Sequence, residues 1–487
     1  MKDSNSERPV IVWFRDDLRL SDHPALHEAA MTGAPVICLY VLDEQSAPLH
    51  SQGRQIGAAS RWWLAQSLKS LQGSLSQFRQ KLVLRKGAAA TVLMELCRQT
   101  AAAAVYWITS DSPAGASVER EVKDALLRMG VTSHISVSDL LAKPPAMRTK
   151  DGGGYRVFTP FWKRLLSLGD PPHPLPAPVR IVSGEIAASE DIESWNLEPK
   201  TPDWAGGLRE TWQPGETAAR ARLARFLENG IQGYATRRDR PDGDHTSRLS
   251  PHLRFGEISP RQIWHASRFA ASHRPAIAGD VEKFLSELGW REFSRNLLHD
   301  NPQLAERNLQ VSFDSFSWRR DARALRAWQR GQTGYPIVDA GMRELWHTGI
   351  MHNRVRMVAA SFLVKHLLID WREGEKWFWD TLVDADPGSN PASWQWVAGS
   401  GADAAPYFRI FNPILQGEKF DPDGRYVTRW APELAKLPAS LIHRPWEATP
   451  LELSAAGVTL GQNYPEPLVD HKRARERALA AYAKTRH

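Results

Sequence analysis

The sequence predicts two joined folds: a doubly wound α/β parallel sheet over residues 1–140, a proline-rich connector over 141–205 and an all-α domain over 206–487. Three observations predict this. Short β-branched runs alternate with amphipathic stretches in the first part. Ten of the 33 prolines fall in the 63 residues from Leu141 to Asp203. Beyond Ala205 a helical periodicity takes over, with no repeat of fixed length.

The strands are expected at Pro9–Phe14, Pro35–Leu42, Lys81–Lys86, Ala104–Ile108 and Val131–Ser138. The amphipathic stretches between them read as crossover helices, because parallel neighbours need a long connection. Such a sheet is covered on both faces. Where a dinucleotide fold carries G-x-G-x-x-G, this chain has Phe14-Arg15-Asp16-Asp17-Leu18-Arg19, so a nicotinamide dehydrogenase is not expected and any ligand of this domain is bound differently.

In the connector, Pro171-Pro172-His173-Pro174-Leu175-Pro176-Ala177-Pro178 dictates an extended path. Gly152-Gly153-Gly154 precedes one short helix within Tyr155–Leu166. The later helices include Val281–His299, a pattern from His352 through Val358, Phe362 and Leu363, and a last one over Asp470–Lys484.

At 487 residues the chain is long enough to bury a large core without covalent staples. Its two cysteines, Cys38 and Cys97, rule out a disulfide scaffold, a zinc ribbon or a four-thiolate iron–sulfur cluster. The longest apolar run, Ala34–Leu42, is far too short to span a bilayer, and Met1–Pro9 is polar, so a cytoplasmic protein is expected. The balance of 62 Lys+Arg against 55 Asp+Glu leaves a net charge of +7, which favours a polyanionic partner. Twenty tryptophans are unusual, and nine of them lie between Trp290 and Trp396.

Four segments carry candidate chemistry. Tyr234 to Asp242 and Thr246 to Gly256 place hydroxyls before Ser250-Pro251, read as an N-cap with proline at the first helical position; free N–H groups there suit a diphosphate, although the pattern alone favours an ordinary capped helix. On the helix around Val281–His299, the apolar stripe is Val281, Phe284, Leu285 and Leu288. Glu287, Trp290 and Arg291 share another face: an acid, a stacking plane and a phosphate clamp that suit a flipped nucleobase, or else a solvated Glu287–Arg291 pair beside a packed indole. In His352-Asn353-Arg354-Val355-Arg356-Met357, Asn353 and Met357 share a face, and the arginines need partners, for which Asp384 or Asp386 are available. Asp384-Ala385-Asp386-Pro387-Gly388-Ser389-Asn390 then reads as a loop entering a helix that carries Trp394 and Trp396.

These segments, with Asp22, Ala25-Leu26, Gly334-Tyr335-Pro336-Ile337-Val338-Asp339-Ala340 and Trp394 to Pro413, occur in the order found in the photolyase/cryptochrome flavoproteins, and the chain resembles that family over nearly its whole length. The resemblance implies an antenna domain followed by an all-helical FAD-binding catalytic domain. Tyr234, Thr246, Ser247, Leu249 and Ser250 would surround the FAD phosphates, and Asn353, Arg356, Asp384, Asp386 and Asn390 would lie near the flavin rings. Glu287, Trp290, Arg291, Asn353, Arg354, Met357 and Trp396 match the family's pocket for a pyrimidine dimer flipped out of DNA. Trp394, Trp371 and Trp318 match its electron-transfer chain, innermost to outermost; Trp346, Trp377 and Trp379 leave a branch open.

Among the members, the resemblance is strongest to bacterial cyclobutane pyrimidine dimer photolyases, with a cryptochrome-type light sensor and a 6-4 photolyase as alternatives. Enzymes for the 6-4 photoproduct usually carry a second histidine where this chain has Met357. Plant-type cryptochromes usually present an aspartate at Asn390 and often add a signalling tail, which is not expected here. An amide at that position bonds without titrating, whereas an aspartate takes up a proton, so Asn390 favours repair. UV-damaged DNA is the expected partner of a monomer. FAD is the expected cofactor; no metal is expected, and methenyltetrahydrofolate is preferred to a deazaflavin as antenna, although Glu44 and Arg54 give no specific ligand signal.

Overall fold

The computed structural model describes residues 8–51, 54–137, 140–184, 188–403 and 408–486. Ser138 at the end of the expected fifth strand and Ala404–Tyr407 of the last motif lie outside the described residues. The described chain divides into two compact units, one of 1–205, 212–229 and 247–303, the other of 206–211, 230–246 and 304–487. The helical region expected as one domain from 206 onward thus contributes to both.

In the first unit β1 (Val10–Phe14), β2 (Val36–Leu42), β3 (Leu82–Lys86), β4 (Ala104–Ile108) and β5 (Thr132–Ser136) form one sheet in the order β3-β2-β1-β4-β5. All pairs are parallel, with Val10 opposite both Val36 and Ala104. β1 and β2 are buried at every residue because helices lie on both faces, as the near-continuous apolar runs require. Trp13 and Trp107 meet at 5.9 Å inside the core formed with Leu39, Val83 and Leu93.

The motif after β1 proves to be a structural staple. Arg19, fully buried, donates to Asp22 O at 2.6 Å and to Gly256 O at 2.9 Å, and Leu18 N–H donates to Phe255 O. Asp22 accepts from Ser259 Oγ and Arg261 Nε. Gly256 has φ +62°, and a Cβ there would sit 2.1 Å from Asp16 O, so no other residue allows this approach. At the switch point between β1 and β4, where such sheets usually take ligands, Glu119 accepts from Arg15, Thr109 Oγ1 and Ser110 N–H.

The connector is extended as its prolines dictate, and it is pinned to the sheet. Leu175 and Asp22 exchange bonds, Val36 N–H donates to Val182 O, and Glu190 N–H donates to Leu84 O. Its helix spans Phe158–Ser167. Farther on, the helix Ala278–Asp300 buries Val281, Phe284, Leu285 and Leu288, matching the expected stripe.

The second unit is helical. Pro336–Thr348, Asn353–Ser361, Trp371–Thr381 and Ser389–Ala398 surround a core containing Trp328, Phe362, Leu363 and Trp394. The helix His471–Ala483, capped by Asp470, closes the chain's last described part. Among the described residues no helix is long and apolar enough to cross a membrane.

Candidate functional site

His352 starts the central helix of the second unit. Its Nδ1 accepts from Arg354 N–H at 3.2 Å, and its own N–H reaches the buried Glu344, which also accepts from Tyr426 Oη at 2.5 Å. Burial pushes the His352 imidazole down to about 4, so it is a neutral acceptor at ordinary pH. With the cap fixed, Asn353 and Met357 share one face, amide nitrogen to sulfur 4.0 Å.

The two arginines of this helix find different partners. Arg356 binds both oxygens of buried Asp384 at 3.1 and 2.9 Å and donates to Met351 O. Arg354 pairs with Asp239 at 2.7 Å, a residue of the marked segment Tyr234 to Asp242 for which no sequence pattern indicated that role. Asp386 takes neither arginine; it accepts from Gly388 and Ser389 N–H in the turn that leads into the helix Ser389–Ala398.

That helix brings in Asn390, buried, whose Nδ2 donates to Glu375 O at 3.1 Å and to Glu375 Oε1 at 2.8 Å. Glu375 is itself 1% exposed. Sequence reasoning missed it, although its position one turn after Trp371 on an amphipathic helix was the available signal. Because both donor contacts go to Glu375, Asn390 turns its carbonyl oxygen away from that residue.

Trp394, 2% exposed, packs edge-on to Phe378 at 5.0 Å and Trp328 at 6.1 Å. A Cβ on Gly374 would lie 2.2 Å from its indole, so glycine is what lets Trp394 approach the helix that begins at Trp371. Trp371 is fully buried and donates to Asn308 Oδ1. Trp318 is half-buried, and the next residue, Arg319, donates through its backbone to Leu368 O, just before that helix. Trp346 and Trp377 form a separate parallel stack at 6.0 Å, with Trp346 58% exposed. Trp396 donates to Asp403 O.

A cleft of about 560 Å³ opens beside this helix, lined by Arg240, Arg354, Arg409, Lys419, Phe411 and Phe420. Arg354 lies 4.4 Å over the Phe420 ring. Four cations and two aromatic rings suit an anionic backbone with stacked bases. Arg354, Arg240, Arg409 and Phe411 lie in segments the sequence marked, whereas Lys419 and Phe420 do not; their convergence on one cleft was not legible, since they are spread over 180 residues.

Of the phosphate set, Tyr234 and Thr246 belong to the second unit, and Ser247, Leu249 and Ser250 to the first. The expected N-cap at Ser250 is not formed. Ser250 is the first helical residue, Leu249 holds the cap position, and no side chain caps the helix, because Arg248 turns the chain with φ +50° just before it. Tyr234 is buried and starts its own short helix beneath the Arg238 guanidinium.

In the first unit, Glu287, Trp290 and Arg291 lie on one helix, but the alternative Glu287–Arg291 pair does not form. Glu287 pairs with Lys283 at 2.9 Å, and Arg291 with buried Glu292 at 2.8 Å. Burial pushes the Glu292 carboxyl up to about 7. Phe158 stacks on Trp290 at 3.8 Å and 7°, covering one face of the indole. Glu44 is held by Arg61 and Lys86. No cluster of metal-ligating side chains occurs among the described residues.

Two family models match, DNA photolyase over residues 10–179 and the FAD-binding domain of DNA photolyase over 284–484. A deoxyribodipyrimidine photo-lyase of Agrobacterium fabrum is 51% identical over 98% of each chain. Cryptochrome-1 of Arabidopsis thaliana is 38% identical over 96% of this chain and 69% of its own. Among solved structures, a class III photolyase of Agrobacterium tumefaciens superposes with a TM-score of 0.95 at 50% identity, covering 100% of this chain and 99% of its own. A Synechocystis cryptochrome superposes with a TM-score of 0.87 at 32% identity, covering 99% and 100%.

Proposed function

The chain belongs to the photolyase/cryptochrome family, and from that premise we propose that it is a deoxyribodipyrimidine photo-lyase that splits cyclobutane pyrimidine dimers in UV-damaged DNA under blue light. The family relationship supports FAD as cofactor. The reading keeps 1–140 as the antenna domain, 141–205 as the connector and 206–487 as the FAD-binding catalytic domain.

The residues fit that cofactor. Asn390, its amide nitrogen held by Glu375, would offer its carbonyl oxygen to a flavin ring N–H, and the Arg356–Asp384 pair would supply a charged partner for the ring's polar edge. Tyr234, Thr246, Ser247, Leu249 and Ser250 are assigned to the phosphates. When bound in its reduced form, the flavin would supply, on excitation, one electron to the dimer and take it back after the two carbon–carbon bonds have opened. Glu287 hydrogen-bonds the flipped bases, Trp290 stacks with its uncovered face, and Asn353, Met357 and Trp396 line the pocket. Arg291 and Arg354 bind phosphates, the latter with the basic cleft around Arg240, Arg409 and Lys419.

The observation that carries the repair reading over the light-sensor reading is the buried amide at 390, fixed by Glu375, where it bonds without taking up a proton. Illumination of the FAD-loaded, chemically reduced protein with dimer-containing DNA is expected to restore intact pyrimidines. Tightly bound flavin without any splitting would replace this reading by the cryptochrome-type one, and splitting confined to 6-4 photoproducts by the third. Methenyltetrahydrofolate is proposed as antenna ahead of a deazaflavin, a choice that mass spectrometry of the extracted chromophore decides. A cytoplasmic monomer completes the proposal.

A further inference from the structure

Trp318 sits in an unusually basic surface of the second unit. Arg319, Arg320, Arg323 and Arg326 are all exposed, and Asp321 is the one acid among these neighbours in sequence. Asp321 is already engaged: it caps the helix Ala322–Gln329 through Ala324 N–H and meets Arg319 at 3.8 Å. Among the described residues, Arg320, Arg323 and Arg326 meet no carboxylate.

The C-terminal helix adds to this charge. Ala478, Ala481 and Tyr482 pack on the same aromatic cluster as Trp318, which touches Phe316 at 4.3 Å. One turn back, Arg477 donates to His366 O at 2.6 Å, and after burial the charge that most lowers its basicity is that of Arg319. Arg477 and Arg319, from separate segments, thus add positive charge on one side of this aromatic cluster, and Arg477's acceptor is a main-chain carbonyl, not a carboxylate. An anion is drawn to such a surface.

We propose that the surface around Trp318 is a docking site for a small anionic one-electron donor, which refills the tryptophan chain from solvent. The proposal rests on the reading of Trp318 as the outermost member of that chain. Once an electron has passed inward through Trp371 and Trp394, the Trp318 indole is one electron short. The docked donor gives up one electron, the indole regains one, and no bond forms or breaks. The donor leaves with one negative charge fewer, so the patch that attracted it holds its product less tightly.

The test is transient absorption of the FAD-loaded full-length protein, following the oxidised indole after a flash. Hexacyanoferrate(II) serves as anionic donor and ferrocenemethanol as uncharged donor. The triple variant Arg319→Glu, Arg320→Glu, Arg323→Glu is compared with Lys81→Glu, Lys123→Glu, Arg128→Glu, which changes net charge equally in the first unit. The patch variant is expected to slow reduction by hexacyanoferrate(II) about tenfold more than the control variant, with ferrocenemethanol unaffected in both. Raising the salt should slow the anionic donor with the wild type and have much less effect with the patch variant. Equal slowing in the two triple variants overturns the proposal while leaving the chain reading intact. A long-lived indole signal that persists in Trp318→Phe overturns the chain reading, and the proposal with it.

Discussion

The side-chain amide of Asn390 donates to the carboxylate of Glu375 at 2.8 Å, and both residues are buried. A buried carboxylate accepts and does not donate when ionised, so this contact selects one of the two amide orientations and leaves the carbonyl oxygen for another donor. The amide is thus held by the helix Trp371–Thr381, which also carries Trp371.

Asn390→Asp sets two carboxylates against each other in a buried site, where they cannot both be ionised. The variant is expected to hold a proton on that pair and to change the bound flavin's absorption during photoreduction. Spectra of dark and illuminated protein across pH check this; unchanged spectra with unchanged repair would remove the role given to the amide.

Glu287→Ala removes a partly exposed pair with Lys283, a helix i,i+4 contact worth about 0.5 kcal/mol or less to unfolding stability. Binding to dimer-containing DNA, or the splitting yield, should fall far more than binding to intact DNA, because a pocket carboxylate contacts bases. Equal losses on both DNAs in a titration would contradict the assignment.

Arg354→Ala should weaken binding to damaged and undamaged DNA alike and flatten the salt dependence by about one phosphate contact. The freed Asp239 at the cleft adds repulsion in the same direction. Affinity measured at several salt concentrations distinguishes this from a lost base contact, which would leave the slope unchanged.

Trp394→Phe keeps most of the packing against Gly374 and Phe378 but removes the oxidisable indole. Photoreduction of oxidised flavin should slow severely, while chemically reduced protein still repairs dimers. Normal photoreduction in transient absorption would reject the chain; failed repair by reduced protein would mean that the flavin pocket itself was disturbed.

Burial holds His366 at about 3 and His352 at about 4, both below the ordinary imidazole value. Below pH ~6.5 the unfolded chain therefore binds protons that the folded chain refuses, so stability is full above ~6.5 and is lost as pH falls toward the folded values. Chemical denaturation between pH 7 and 4 should show this fall, and His366→Gln, which cannot titrate, should reduce its slope. An identical slope in the variant would assign the acid lability to other groups.

Much of this protein was legible in its sequence. The five strands and their crossovers follow from alternating short apolar runs. The long helix of Glu287 follows from its apolar stripe, and the shared face of Asn353 and Met357 from spacing alone. Local order is encoded locally, because a 3.6-residue or two-residue period fixes which side chains share a face. Tertiary structure chose Asp384 over Asp386 for Arg356, and alone decided the other partners: Asp239 for Arg354, Glu375 for Asn390, Phe158 for Trp290 and Gly256 for Arg19. These pairs lie up to 237 residues apart. A charge or amide removed from water must find a complement somewhere, but the sequence pattern does not say where, since only packing brings distant segments within hydrogen-bonding reach.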